Sequence, residues 1–145
     1  MKDQALDEFF TTDHRTCDDL WAEVEAAAGK PAAVLTAWTR FDEAMRTHLD
    51  MEEQVLFPAF DAAAGMNGGG PTMVMRAEHH QMREVLRRMA NAAAVGDQDR
   101  LLDHGDTLLM LIGQHNIKEE QMLYPMAANL LGPSWPALRE QLPKR

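Results

Sequence analysis

A single cysteine in 145 residues, Cys17, excludes an intrachain disulfide, a cysteine-ligated zinc cluster and an iron–sulfur centre. Basic residues are also scarce: 14 Lys and Arg stand against 23 Asp and Glu, a formal net charge of -9. Nucleic acid and anionic membranes both demand a basic surface, so neither is expected as a partner. Aromatic residues make up only 6% and β-branched runs are missing, while Ala and Met are abundant, which disfavours strands and favours helices. No apolar run approaches the length that crosses a bilayer, and Met1-Lys2-Asp3-Gln4 has neither the basic nor the apolar region of a signal peptide. A soluble, cytoplasmic chain is expected. Its 46% hydrophobic residues against 26% charged suffice for one domain with its own core.

What the chain does contain is an internal repeat. His48-Leu-Asp-Met-Glu52-Glu53-Gln54-Val-Leu-Phe57-Pro58 recurs as His115-Asn-Ile-Lys-Glu119-Glu120-Gln121-Met-Leu-Tyr124-Pro125, with six of eleven positions identical. Unrelated segments of that length would share about one. In each copy a histidine and a glutamate lie four residues apart, so on a helix both point to one side and reach a common point.

Apolar periodicity predicts four helices. The first, Ala5 to Ala28, carries the stripe Phe10, His14, Cys17, Trp21, Val24 and Ala28 and ends at Gly29-Lys30-Pro31. The second, about Ala32 to Asp61, carries Trp38, Phe41, Met45, His48, Glu52 and Val55. A loop with Gly65, Asn67, Gly68, Gly69 and Gly70 follows. The third, about Thr72 to Val95 with Thr72 as N-cap, carries Met75, His79, Met82, Leu86, Met89 and Ala93. Gly96-Asp97-Gln98 turns the chain into the fourth, about Asp99 to Leu131, with Leu108, Leu111, His115, Glu119, Met122 and Met126. Pro58 and Pro125 should kink or end their helices. Short connections make successive helices antiparallel, so the fold expected for residues 1–131 is an all-α, up-down-up-down four-helix bundle. Residues 132–145 form a C-terminal extension whose short helix lays Trp135 and Leu138 over the bundle's end.

The stripes put His14, His48, Glu52, His79, His115 and Glu119 in the interior. Burying four histidines and two carboxylates is costly unless they are paired or bind metal. The bland alternative is a polar layer bonded only to itself, or a stripe offset by one that faces water. Nitrogen and oxygen donors without thiolate suit iron, manganese or zinc, and six donors exceed the four of a structural zinc, which implies two metals. Ferritin-like di-iron bundles carry Glu-x-x-His, whereas the order here is His-x-x-x-Glu.

On Asp13-His14, Glu78-His79 and the doubled His-x-x-x-Glu-Glu-x-x-Leu-aromatic-Pro motif, the chain resembles the hemerythrin-like family, in its branch with a His-His-Glu cation-binding domain, over roughly Leu6 to Met126. The resemblance implies two iron ions, with manganese or zinc as substitutes, and an oxo or hydroxo bridge between them. Glu52 and Glu119 would bridge the irons, with His14 and His48 or their counterparts His79 and His115 completing the shells. Oxygen-carrying hemerythrins have a fifth histidine four residues from the one on the third helix, but here Met75 and Arg83 flank His79 at that spacing. The resulting open positions favour reaction with O2, peroxide or nitric oxide, as a sensor, scavenger or detoxifying peroxidase- or nitric-oxide-reductase-like enzyme supplied by a redox partner. Reversible binding of O2 or nitric oxide, or iron storage and donation, is the alternative. Donation is known among relatives with an additional cysteine-bearing N-terminal region.

Secondary positions read more plainly. The helix-three stripe runs through His79 and leaves His80 outside. His104 lies three turns from His115, a helix-end or outer-layer position. Glu53 and Glu120 fall off the stripe as solvated carboxylates or supports for a ligand imidazole. Glu78 is an exposed helical Glu or a residue lining access to the site. Cys17 is a packing residue one turn from His14. Met45, Met75, Met82 and Met122 line an apolar pocket.

Overall fold

The computed structural model of the protein describes residues 4–66 and 69–143, so Asn67 and Gly68 of the glycine-rich loop, and the extreme ends of the chain, lie outside it. The elements are α1 (Leu6–Ala26), α2 (Pro31–Met51), a π-helical turn (Glu52–Leu56), α3 (Phe57–Ala64), α4 (Pro71–Ala94), α5 (Gln98–Lys118), a second π turn (Glu119–Leu123), α6 (Tyr124–Leu131), a 3-10 turn (Gly132–Ser134) and α7 (Trp135–Glu140). Because α2 runs through its π turn into α3, and α5 through its own into α6, the chain forms four long rods. The all-α four-helix bundle expected from the periodicity is therefore present.

Gly29 and Gly96 stand 67 residues apart at φ of 89° and 72°, and each allows the left-handed step that reverses the chain between paired rods. Pro31 opens α2, and the Asp97 carboxylate caps α5 by accepting from the Arg100 amide at 3.1 Å. Thr72 is not the N-cap of α4. That helix begins one residue earlier at Pro71, and the buried Thr72 hydroxyl donates to Asp61 at 2.5 Å, tying the start of α4 to the end of α3.

The two π turns correct several stripe positions. Each holds an extra residue before Pro58 or Pro125, so helix continues through the proline and the inward face rotates. Met122 and Met126, expected inside, are 47% and 37% exposed, and Leu123, Tyr124 and Ala127 take their places. Val55 is half-buried, while Leu56 and Phe57 are the buried neighbours. Ala28 is exposed because α1 stops at Ala26.

Two apolar clusters fill the bundle. One, around Trp21, Trp38, Phe41 and Met89, lies toward the Gly29 and Gly96 turns. The other, around Phe10, Phe57, Phe60 and Tyr124, is closed by Trp135, which packs against Phe9 and Phe10 while its indole N–H donates to the Gln4 carbonyl at 2.8 Å. The polar layer sits between them. No helix among the described residues is long and apolar enough to cross a membrane.

Candidate metal centre

Each rod delivers one histidine to the middle layer: His14 from α1, His48 from α2, His79 from α4 and His115 from α5. Glu52 and Glu119 open the two π turns and are wholly buried. All six expected positions thus come together. The rings pair within each half of the repeat, with His14 and His48 centred 4.7 Å apart and His79 and His115 4.9 Å apart. Glu119 Oε1 lies 3.1 Å from His14 Nε2 and 3.0 Å from His115 Nε2. Glu52 Oε1 lies 3.3 Å from His48 Nε2 and 3.0 Å from His79 Nε2. Each carboxylate therefore spans both halves. Two sets of donor atoms are each tight enough to share an ion: Glu52, His79, His115 and Glu119 in one, and His14, His48 and Glu119 in the other.

Behind each imidazole stands another carboxylate. His14 Nδ1 donates to Glu120 at 2.7 Å, His48 Nδ1 to Asp13 at 2.7 Å, His79 Nδ1 to Glu53 at 2.8 Å and His115 Nδ1 to Glu78 at 2.8 Å. An ionised carboxylate only accepts, so Nδ1 carries a proton, and in the neutral ring Nε2 turns its lone pair inward. The pattern obeys a twofold: Asp13 and Glu78, each just before a histidine, serve the partner rod in their own half, whereas Glu53 and Glu120, each just after a central Glu, serve the opposite half. Arg83 and Lys118 pin Glu53 and Glu78 in turn. Glu53, Glu78 and Glu120 are thus imidazole supports rather than simply solvated groups.

Burial and charge set distinct protonation states. Burial, helped by the charge on His48, lowers His14 to about 2. Burial would lower His48 as well, but Glu52 and Asp13 outweigh it and raise it to about 9. Glu119 is pushed well above the carboxylate range by burial and by the charge on Glu52. Burial opposes ionisation of Glu52 too, yet the His48 charge and the contacts with Glu119 and the imidazoles hold it ionised. Two buried carboxyls this close do not both ionise without added positive charge.

Among the described residues four buried side-chain polar atoms lack a hydrogen-bond partner, and three of them, His48 Nε2, Glu52 Oε1 and Glu119 Oε2, belong to this centre. Once His48 and Glu119 release their protons, all three are electron-pair donors in a dry interior, and such atoms fit cations.

Tyr124 breaks the twofold and was not singled out as a site residue by the sequence. Its wholly buried hydroxyl donates to Glu52 Oε2 at 2.6 Å and lies 3.0 Å from both Glu119 Oε1 and His14 Nε2. The repeat held the signal, since the chain's one tyrosine stands where the other copy has Phe57. Asp13 was likewise visible as the counterpart of Glu78. His80 is exposed and His104 half-buried, both apart from the cluster. Met75 is buried beneath His79, and Arg83 pairs with Asp50 and Glu53, so neither position flanking His79 offers a further imidazole. Cys17, Met45 and Met82 line a small cavity against His14, His48 and His115, but Met75 packs in the other apolar cluster and Met122 faces outward, so neither has a part in it.

Comparison with known proteins agrees with this geometry. No curated protein and no solved structure matches the chain. The family described as hemerythrin HHE cation-binding domain matches residues 5–127, which contain every residue of the buried centre. The chain belongs to the hemerythrin HHE cation-binding domain family.

Proposed function

We propose that His14, His48, Glu52, His79, His115 and Glu119 hold two iron ions, and that the protein binds O2, peroxide or nitric oxide there and reacts with it. The observation that carries this reading is that each buried Glu stands between imidazoles of both halves while all four imidazoles are locked by carboxylates behind them. Side chains held this way are oriented before any ion arrives, which favours binding and fixes geometry. An iron pair supplies two one-electron centres side by side and Lewis acidity toward a small ligand.

The remaining residues exclude water and manage protons. Phe10, Phe57 and Met75 cover one side of the layer and Met45, Leu49 and Met82 the other, so only a small molecule reaches it. The Tyr124 hydroxyl, held between Glu52 and Glu119, can donate a hydrogen bond into the centre from the His14 side. Reaction is favoured over simple carriage because Met75 and Arg83 stand where a further histidine would fill one more coordination position.

Iron reconstitution and metal analysis of the wild type and of the Glu52→Ala/Glu119→Ala double variant test the centre. About two irons per chain are expected in the wild type and under one in the variant. Equal loading sinks the proposal. Anaerobic addition of O2, peroxide and nitric oxide to the reduced protein, followed in the visible region, then separates turnover from reversible binding.

A further inference from the structure

The internal twofold compares two seams of one bundle. Along the α2/α4 seam the rods pack side by side, while α1 and α5 meet only sparsely. The residues explain the difference. Aligning His48 with His115 and His14 with His79 sets Arg46, Leu49 and Arg83 of the first seam against Gly113, Asn116 and Asp18 of the second. Leu49 is 1% exposed, and Arg83 bridges α4 to α2 by pairing with Asp50 at 2.8 Å and Glu53 at 3.0 Å, so that seam is shut. On the α1/α5 seam lies a surface cleft of about 280 Å³. Its walls Asp18, Ile112 and Asn116 also bound the inner cavity of about 10 Å³ that touches His14, His48 and His115.

Gly113 points the same way. A glycine inside a helix costs about 1 kcal/mol relative to Ala. The other glycine in α5, Gly105, has a packing reason, since a Cβ there would meet the Trp21 ring at 2.2 Å. At Gly113 a Cβ would meet nothing within 4 Å, so packing does not require it. What its bare backbone does is leave the floor of the cleft open.

We infer that the α1/α5 seam is the entrance to the metal centre, kept open by Gly113 and narrowed by Asp18, Ile112 and Asn116, and that it passes small uncharged molecules. This rests on the proposed di-iron function for its purpose, though not for its geometry. Size follows from the inner cavity, which has room for about one water-sized molecule. Charge follows from two features: the mouth, where Asp18 and Glu120 outnumber Arg15, disfavours anions, and the apolar wall of the inner cavity, formed by Cys17, Met45, Leu49, Met82 and Ile112, disfavours any ion.

The experiment fills the cleft. Gly113→Phe adds a ring at a cleft-lining position whose Cβ meets nothing within 4 Å, and it replaces no proposed ligand. In stopped-flow mixing of nitric oxide with the reduced, iron-loaded protein, the association rate is expected to fall about tenfold or more with unchanged Kd, because a plug slows entrance and exit alike. Arg46→Phe, at the matching place on the other seam, leaves the rate unchanged. Asn116→Leu, which copies Leu49, gives the same slowing should Gly113→Phe fold poorly. A second arm needs no metal: Cys17 lines the inner cavity, and its oxidation by hydrogen peroxide, followed by mass spectrometry on the full chain with no metal added, slows in parallel. If the chain takes up no iron, the di-iron reading fails and the Cys17 arm still decides the entrance. Unchanged nitric oxide and Cys17 rates in correctly folded Gly113→Phe, or equal slowing by Arg46→Phe, overturn the inference.

Discussion

Tyr124→Phe removes one oxygen and makes the two halves of the centre alike, because Phe57 already fills the matching place. In the metal-free protein the phenol donates to the ionised Glu52 at 2.6 Å, in a wholly buried setting. A hydrogen bond to a charged group is worth about 1.5–3 kcal/mol, and its loss leaves a carboxylate oxygen bare. The ring itself is retained, so no cavity term adds. Taking about 2 kcal/mol, a domain of this size should lose roughly 4–8 °C of Tm. Differential scanning calorimetry of the metal-free wild type and variant reads this directly.

The sign is not trivial. Glu119 is pushed well above the carboxylate range by burial and the Glu52 charge, and the Tyr124 bond works against that rise. Removing the hydroxyl therefore makes Glu119 hold its proton more firmly, which deepens the asymmetry with Glu52 instead of relieving it. A metal-free Tyr124→Phe protein as stable as the wild type, or more so, refutes the claim that the bond from this hydroxyl to Glu52 stabilises the fold. Adding Phe57→Tyr to the variant returns one hydroxyl to the layer from the opposite rod and should recover part of the loss. After iron loading the cost should shrink, since the carboxylates then have cations.

Asp13→Asn and Glu78→Gln each replace the charged acceptor behind an imidazole, at 2.7 Å from His48 and 2.8 Å from His115. Each is expected to lower metal affinity about tenfold or more in competition with a chelator while leaving the helical circular dichroism intact; unchanged affinity contradicts the support role. Metal uptake should strengthen with pH. His48 is raised to about 9 because Glu52 and Asp13 outweigh burial, so between the ordinary histidine value of 6.5 and about 9 a proton must leave it before a metal binds, a gain of about tenfold per pH unit from this group alone. Without metal the same shift works in the other direction: the stability it contributes is fully present below 6.5 and is lost as pH rises through about 9. Affinity that is flat or falls across that window rules out the charge pattern.

Much of this is legible in the sequence. The duplicated His-x-x-x-Glu segment, the four stripes and the two glycine turns define the bundle, its twofold and the six inner residues. Constant periodicity could not find the register change, because stripe reading assumes 3.6 residues per turn throughout, and Met122 and Met126 were consequently placed inside. Nor could it assign the outer carboxylates. Whether Glu53 meets water or His79 depends on how α2 is rotated against α4, a tertiary quantity that no single helix encodes. The pairing of Asp13 with His48 is of the same kind. Two signals were nonetheless in view: an acidic residue directly before His14 and His79 and directly after Glu52 and Glu119, and a proline six residues beyond each central Glu.

The prolines lead to the reason for the π turns. In α geometry the fifth residue after Glu119 would lie roughly 140° around the helix from it, so Tyr124 would point away from the carboxylate it touches. The π turn closes the chain one residue later, as in the bond from the Phe57 amide to the Glu52 carbonyl and from the Tyr124 amide to the Glu119 carbonyl. The fifth residue is thereby brought beneath the glutamate, and Tyr124 Oη reaches Glu119 Oε1 at 3.0 Å. Pro58 and Pro125 follow immediately, where the i to i−4 ladder is already interrupted and a missing N–H costs least. The extra residue in each turn also lets neighbouring glutamates divide their work, with Glu52 and Glu119 turned inward and Glu53 and Glu120 turned across to a histidine of the other half. One local irregularity, used twice, thus places an aromatic lid under each central carboxylate. In only one of the two copies does that lid carry a hydroxyl, which is why a nearly twofold scaffold holds a centre whose two sides are chemically different.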